Sequence, residues 1–146
     1  MLMMLPKVSL VLAGACALLH IWLAVRVGQV RRAEKVFVGD GGNDRVVRRV
    51  RAHANFAENA WLVLALVLVI ELSLGTSMWL WAAAALFVIA RIGHGIGMDG
   101  WMAGRSGGTA ITFVLEIALG LWAIAIPLTA PSLGTGPAAE VVPARG

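Results

Sequence analysis

Charge is scarce in this sequence: only 14% of its 146 residues are Asp, Glu, Lys or Arg, while 60% are hydrophobic. A soluble domain is roughly 45–50% apolar and about 25% charged. One small core cannot hide this much apolar surface, so the composition excludes an ordinary water-soluble fold and calls for lipid. Tyrosine is absent altogether, which excludes a tyrosine hydroxyl from any site. Cysteine occurs once, at Cys16, and that excludes an intrachain disulfide and a cysteine metal cluster. Cys16 falls inside the first apolar run and reads as a small packing residue. Ala13-Gly14-Ala15-Cys16 lacks the bulky aliphatic that a lipoprotein signal wants where Ala13 stands. The three histidines, His20, His53 and His94, lie on different segments without metal-ligand spacing, so no metal site is expected.

Long apolar runs are what the chain has instead. A bilayer core takes about 20 mostly apolar residues as a helix, and four stretches meet this: 8–27, 56–74, 78–96 and 109–128. Together they predict one all-α domain over 1–130, an integral membrane bundle of four helices. The first run is too long for the apolar part of a cleaved signal and is read as a retained helix. Pro6 suits a helix start, Gly75-Thr76-Ser77 allows a tight hairpin, and Pro127 and Pro131 are expected to close the last helix. The Pro/Gly/Ala-rich stretch 131–146 reads as a disordered tail.

The formal net charge of +4 is not spread like a nucleic-acid surface. Arg31, Arg32, Lys35, Arg45, Arg48, Arg49 and Arg51 cluster in the first connection, Arg105 falls in the third, and the second carries no charge. Positive residues favour the cytoplasmic side, so loops one and three are expected there. Trp61, Trp79, Trp81 and Trp101 near span ends fit interfacial anchors. Gly39-Asp40-Gly41-Gly42 reads as a turn, after which Asn43 or Asp44 can cap a helix running straight into the second span.

Arg48, Arg51, Asn55 and Glu58 recur at spacings of three, four and three, which places them on one face of that helix. His53 falls to the side. Charged groups at the inner end of a span are costly in lipid and turn toward the bundle or a polar cavity. An Arg can hold a carboxylate, an Asn a peptide group and a Glu an ammonium, a set that suits a zwitterionic ligand. By spacing alone, Arg51 and Glu58 are equally well read as glue between helices.

The run Arg51-Ala52-His53-Ala54-Asn55-Phe56-Ala57-Glu58 resembles the R-A-x-x-N-x-x-E signature on the second helix of the MAPEG family, membrane-associated proteins of eicosanoid and glutathione metabolism. The likeness extends to the four spans, the long basic first loop, and Arg91 with His94 late in the third span. Gly39-Asp40-Gly41-Gly42 and Arg105-Ser106-Gly107 look like a bacterial inner-membrane branch. The resemblance implies a homotrimer that holds glutathione between subunits at the cytoplasmic side. Arg51, Asn55 and Glu58 would bind the tripeptide, with Arg48, His53, Arg91 and His94 as further contacts, and Arg105 would sit near the thiol as the catalytic group. A nearby guanidinium favours the nucleophilic thiolate, which would attack a small lipophilic electrophile dissolved in the bilayer. Family enzymes commonly carry tyrosines after the Glu and late in the third span, where this chain has Asn59 and His94/Met98. A proline often follows the Glu; Trp61 stands there. The alternative is therefore a non-catalytic ligand-binding or scaffold protein of the same fold, with Arg105 merely a positive-inside residue.

Arg91 lies deep enough to want a partner, with Glu58 or Glu116 as candidates. Glu116 must point inward, Glu71 is expected near the outer interface, and His20 reads as a packing or hydrogen-bonding residue. Gly95-Ile96-Gly97-Met98-Asp99-Gly100 has the form G-x-G-x-x-G, but it follows a membrane helix and not a strand. Those glycines are read as a close helix contact and a turn. A transporter lined by Glu58, Arg91 and Glu116 is a third class, though no repeat halves are visible.

Overall fold

A computed structural model describes residues 5–130; the expected tail at 131–146 lies outside the described residues. Four helices follow one another: α1 (Lys7–Ala33), α2 (Asp44–Leu74), α3 (Met78–Gly97) and α4 (Met102–Thr129). Among the described residues there is no strand, and all four helices are long and apolar enough to cross a membrane. This is the four-helix membrane bundle expected from the apolar runs.

Around the bundle the order is α1, α2, α4, α3, with α2 and α3 also touching across the diagonal while α1 and α4 make no contact. Each helix buries one narrow stripe. On α1 it is Val8, Leu12, Cys16, Leu19 and Leu23; on α2 it is Ala52, Phe56, Ala60, Val63, Val67 and Ile70. Steps of three and four keep such residues on one face. The remaining apolar side chains, among them Leu18, Ile21, Ile89, Val114 and Leu121, point outward, as a lipid-facing surface requires.

Polar termini explain where the helices begin. The Asn43 side chain accepts from the backbone N–H of Arg45 at 2.9 Å and of Val46 at 3.2 Å, so Asn43 and not Asp44 is the cap. The basic stretch Arg45–Arg51 is thus helical. With 31 residues, α2 is about 46 Å long, so its basic start projects beyond a hydrocarbon core about 30 Å thick. The preceding turn is built as its glycines suggest: Gly39, Gly41 and Gly42 have positive φ, and Asp40 accepts from the N–H of Gly42 at 3.0 Å.

Helix α1 is capped by a residue from another helix. Its first N–H groups have no intrahelical acceptor, and Pro6 offers no side-chain cap. The Glu71 carboxylate fills the gap: it accepts from Val8 N at 2.9 Å, Ser9 N at 2.8 Å, Ser9 Oγ at 2.6 Å and Thr76 Oγ1 at 2.6 Å. Glu71 is therefore buried, at the end of the bundle where α1 begins and α2 closes.

Two further boundaries differ from expectation. Helix α4 starts at Met102, seven residues before the apolar run, so Arg105-Ser106-Gly107 belongs to its first turns and not to a loop. Helix α1 runs on to Ala33, six residues past its apolar run, whereas α4 ends at Thr129, within a residue of the expected 128, with Pro127 in its final turns, where a proline removes one hydrogen bond and little else. The early start of α4 follows from its contact with α3. A Cβ on Gly97 would stand 2.2 Å from the backbone N of Arg105, one on Gly104 2.7 Å from Gly93 O, and one on Gly108 2.5 Å from Ala90 O. Only glycine permits backbones to approach so closely. The glycines after residue 94 thus serve as read, for contact at Gly95 and Gly97 and for a turn at Gly100, whose φ is 134°.

Candidate functional site

The close α3–α4 hairpin sets two helix ends against the projecting start of α2. Between them lies a crevice of about 300 Å³, lined by Val47, Arg48, Arg51 and Asn55 from α2, His94 and Met98 at the end of α3, and Arg105 and Thr109 from α4. That volume is at the lower end of small-molecule sites. The sequence spacing put Arg48, Arg51 and Asn55 on one face; the fold adds His94 and Arg105 from across the bundle. Among the described residues no carboxylate pairs with Arg48, Arg51 or Arg105. Every charged side chain that lines the crevice is a guanidinium.

Behind its wall lies Arg91, 1% exposed. It donates from Nη2 to Asn55 Oδ1 at 2.7 Å and from Nη1 to Thr112 Oγ1 at 3.0 Å. Its hydrogen-bond partners are thus an amide and a hydroxyl; of the two glutamates considered, Glu116 acts on it through charge alone. Thr112 passes its own proton to Gly108 O at 2.8 Å, which leaves its lone pairs for Arg91. Arg91 Nε and Glu116 Oε1 are both buried without a hydrogen-bond partner, and no ion pair links the two residues.

Three of the expected contacts lie elsewhere. Arg91 supports the crevice without lining it. His53 turns toward α1, its ring 4.5 Å from that of His20, because a two-residue step from Arg51 carries it about 200° round the helix, against the neighbouring one. Glu58 shares the helix face but sits almost a turn below Asn55, exposed and outside the crevice. Val47 and Thr109 line it without a sequence signal of their own, and Met98 stands in the neighbourhood where family enzymes carry a tyrosine.

A brace beside the crevice holds the α3–α4 connection. Asp99 accepts from Arg49 Nε at 3.1 Å and Nη2 at 3.2 Å and forms an ion pair with Arg26. Arg26 also donates to Gly95 O at 2.7 Å and stacks on Trp22, 4.7 Å from the ring centre. Arg49 further donates to Arg26 O at 3.2 Å. Partial burial pushes the Asp99 carboxyl up, but hydrogen bonds from Arg49 and the charges of Arg26 and Arg49 outweigh this and hold it below the usual range. The brace ties α1, α2 and α3 together beside Met98. An isolated aspartate five residues after a histidine gave no hint of it.

Chemically, the lining of the crevice suits an anion. Guanidinium forks suit carboxylates and thiolates, and the amide adds a neutral contact. No group of three or more His, Cys, Asp or Glu side chains able to hold a metal occurs among the described residues. No curated protein and no solved structure matches the chain. A family model does: that of the MAPEG family, over residues 9–125. With four lipid-length helices and a match over most of its length, this integral membrane protein belongs to the MAPEG family.

Proposed function

We propose that the chain binds glutathione in the crevice between α2, α3 and α4 and acts as a glutathione transferase or peroxidase-like enzyme on lipophilic electrophiles. One observation carries the reading: three guanidiniums without carboxylate partners, from two helices, converge with the Asn55 amide on a single cavity. The tripeptide offers two carboxylates and a thiol, and all three in their anionic forms are acceptors for such donors.

Arg51 and Arg48 hold carboxylate, Asn55 a peptide group, and Arg105 the sulfur. A guanidinium beside a thiol favours the thiolate. In a transfer reaction the thiol loses its proton to water, the sulfur forms a bond to the electrophilic carbon, and the leaving group departs with the bonding pair. The electrophile reaches the site from the surrounding lipid. In keeping with the family, the protein assembles as a homotrimer in a bacterial inner membrane, with the basic connections on the cytoplasmic side.

Calorimetry on detergent-purified protein tests binding. Glutathione should bind the wild type, and Arg51→Ala should weaken it by about tenfold or more, as loss of a charged hydrogen bond does. Absence of heat with the wild type would end the reading. Conjugation of a generic electrophile, lowered by Arg105→Ala, tests the chemistry. The absence of tyrosine supports a second reading in which the crevice holds a ligand without turnover. Binding with no conjugation above the buffer rate would select it.

A further inference from the structure

We infer that the first connection is an interfacial finger. It lays Phe37 and Val38 into the leaflet on the crevice side, with Arg32 and Lys35 against anionic phospholipid headgroups. This surface stands apart from the crevice and does not depend on the glutathione reading.

The tip is apolar, exposed and held in shape. Phe37 is 76% and Val38 90% exposed, and both lie outside the four apolar runs. Val36, just before them, turns inward against Gly41, where a Cβ would stand 3.0 Å from Val36 Cγ2. Helix α1 ends in a Schellman turn: Val36 N–H donates to Arg31 O at 2.9 Å and Lys35 N–H to Arg32 O at 3.3 Å. Arg31 Nη1 then donates to Gly39 O at 2.6 Å, and Glu34 accepts from Asn43 and Arg45. A connection fastened in this way keeps its apolar pair in the open.

Its height fits a bilayer surface. Lys35, with φ 55°, turns the chain back on itself, and the loop returns alongside the helices. Gly39 and Asp40 share a recess of about 300 Å³ with Val47, Val50 and Arg51. In the same turn of α2, Arg49 donates to Arg26 O at 3.2 Å, next to Val27, where the apolar run of α1 ends. The residues beside the tip are therefore level with the end of a span and not held out in water.

Charge selects the lipid. Lys35 stands where a helix end usually has glycine, so an ammonium is kept beside the tip. Arg32 and Lys35 are exposed, and among the described residues neither meets a carboxylate. The nearby acids are engaged elsewhere: Glu34 with Arg45, Asp40 with the N–H of Gly42, and Asp44 in the first turn of α2, where its charge suits the helix dipole. Free cations beside an apolar anchor favour anionic headgroups. Two side chains fall far short of the roughly 800 Å² per partner of a stable protein contact, so lipid suits this tip better than a second protein.

A fluorophore on the full chain tests this. Cys16→Ala removes the native thiol, and Val38→Cys carries an environment-sensitive label at a site open enough to accept it. The protein is reconstituted in phosphatidylcholine vesicles, with or without phosphatidylglycerol, whose acyl chains are brominated. Compared with a label at Asp44→Cys, the tip label should be blue-shifted and quenched by bromine, at least about twofold more in the anionic vesicles. Arg32→Gln with Lys35→Gln should remove that anionic excess, and high salt should do the same. Phe37→Ser should lower quenching in both kinds of vesicle. A tip label as water-exposed as the one at Asp44→Cys would overturn the inference. So would equal quenching in the two vesicles, or a blue shift without quenching, which would set the tip against protein.

Discussion

Asn55 and Arg91 show how a residue pair can be half legible. Asn55 stood out because it repeats with Arg51 at helical spacing, and spacing reports the angle around a helix faithfully. Depth relative to a cavity is another matter. Glu58 has nearly the same angle as Arg51, yet the Asn55–Arg91–Thr112 contact lies at the bottom of the crevice and leaves Glu58 beyond it. Only α3 and α4 decide that level, so the second helix alone could not reveal it. His53 failed for the opposite reason: its angle was wrong for the crevice and right for His20. The Asp99 brace yields a prediction at the same scale. Its folded carboxyl titrates below the unfolded value near 3.9, so its stabilisation is present above that pH and is lost as the pH falls through the lower folded value. Thermal unfolding of wild type should exceed that of Asp99→Asn at pH 7, and the gap should close progressively below about pH 4. A gap independent of pH would show that the charge contributes nothing.

At the level of helices, hydropathy located all four correctly, since each must cover about 20 residues of lipid. It could not place the start of α4. There the chain is glycine-rich and weakly apolar, and by intrinsic preference it is a poor helix former. Contact with α3 makes those turns helical, through glycines at 97, 104 and 108. Gly108→Ala should therefore destabilise the protein by about 1–3 kcal/mol, the usual cost of overpacking. The added methyl meets the backbone of Ala90 and the His94 backbone and Cβ, none of which can swing aside. A denaturation midpoint equal to wild type would refute this account of the hairpin. The displaced His94 should also weaken ligand binding in the same variant. The Glu71 cap supplies a second case. Glu71→Gln keeps the shape but loses the charge and one acceptor facing Val8, Ser9 and Thr76. A loss of about 2 kcal/mol is expected, and hydrogen exchange at the first amides of α1 should rise while that of α3 stays unchanged.

Taken whole, the molecule is polarised along its length. The residues that line the crevice and form its brace gather at the end with the first and third connections, and the opposite end carries the hairpin at Gly75-Thr76-Ser77. Its sides are apolar, but Glu58 stands exposed on one of them. A lone carboxylate facing acyl chains is costly, which favours its burial against a second copy. Native mass spectrometry from detergent should accordingly release a trimer, and Glu58→Arg, which reverses the charge at that face, should shift it toward monomer. A wild-type monomer would argue against assembly through this face. The capping of α1 by Glu71 also has a consequence for how the polypeptide is made. The acceptor for its opening amides arrives 62 residues later in the chain. During synthesis the first helix therefore enters the bilayer with its leading edge incomplete, and it is finished only when the second one has crossed back to meet it.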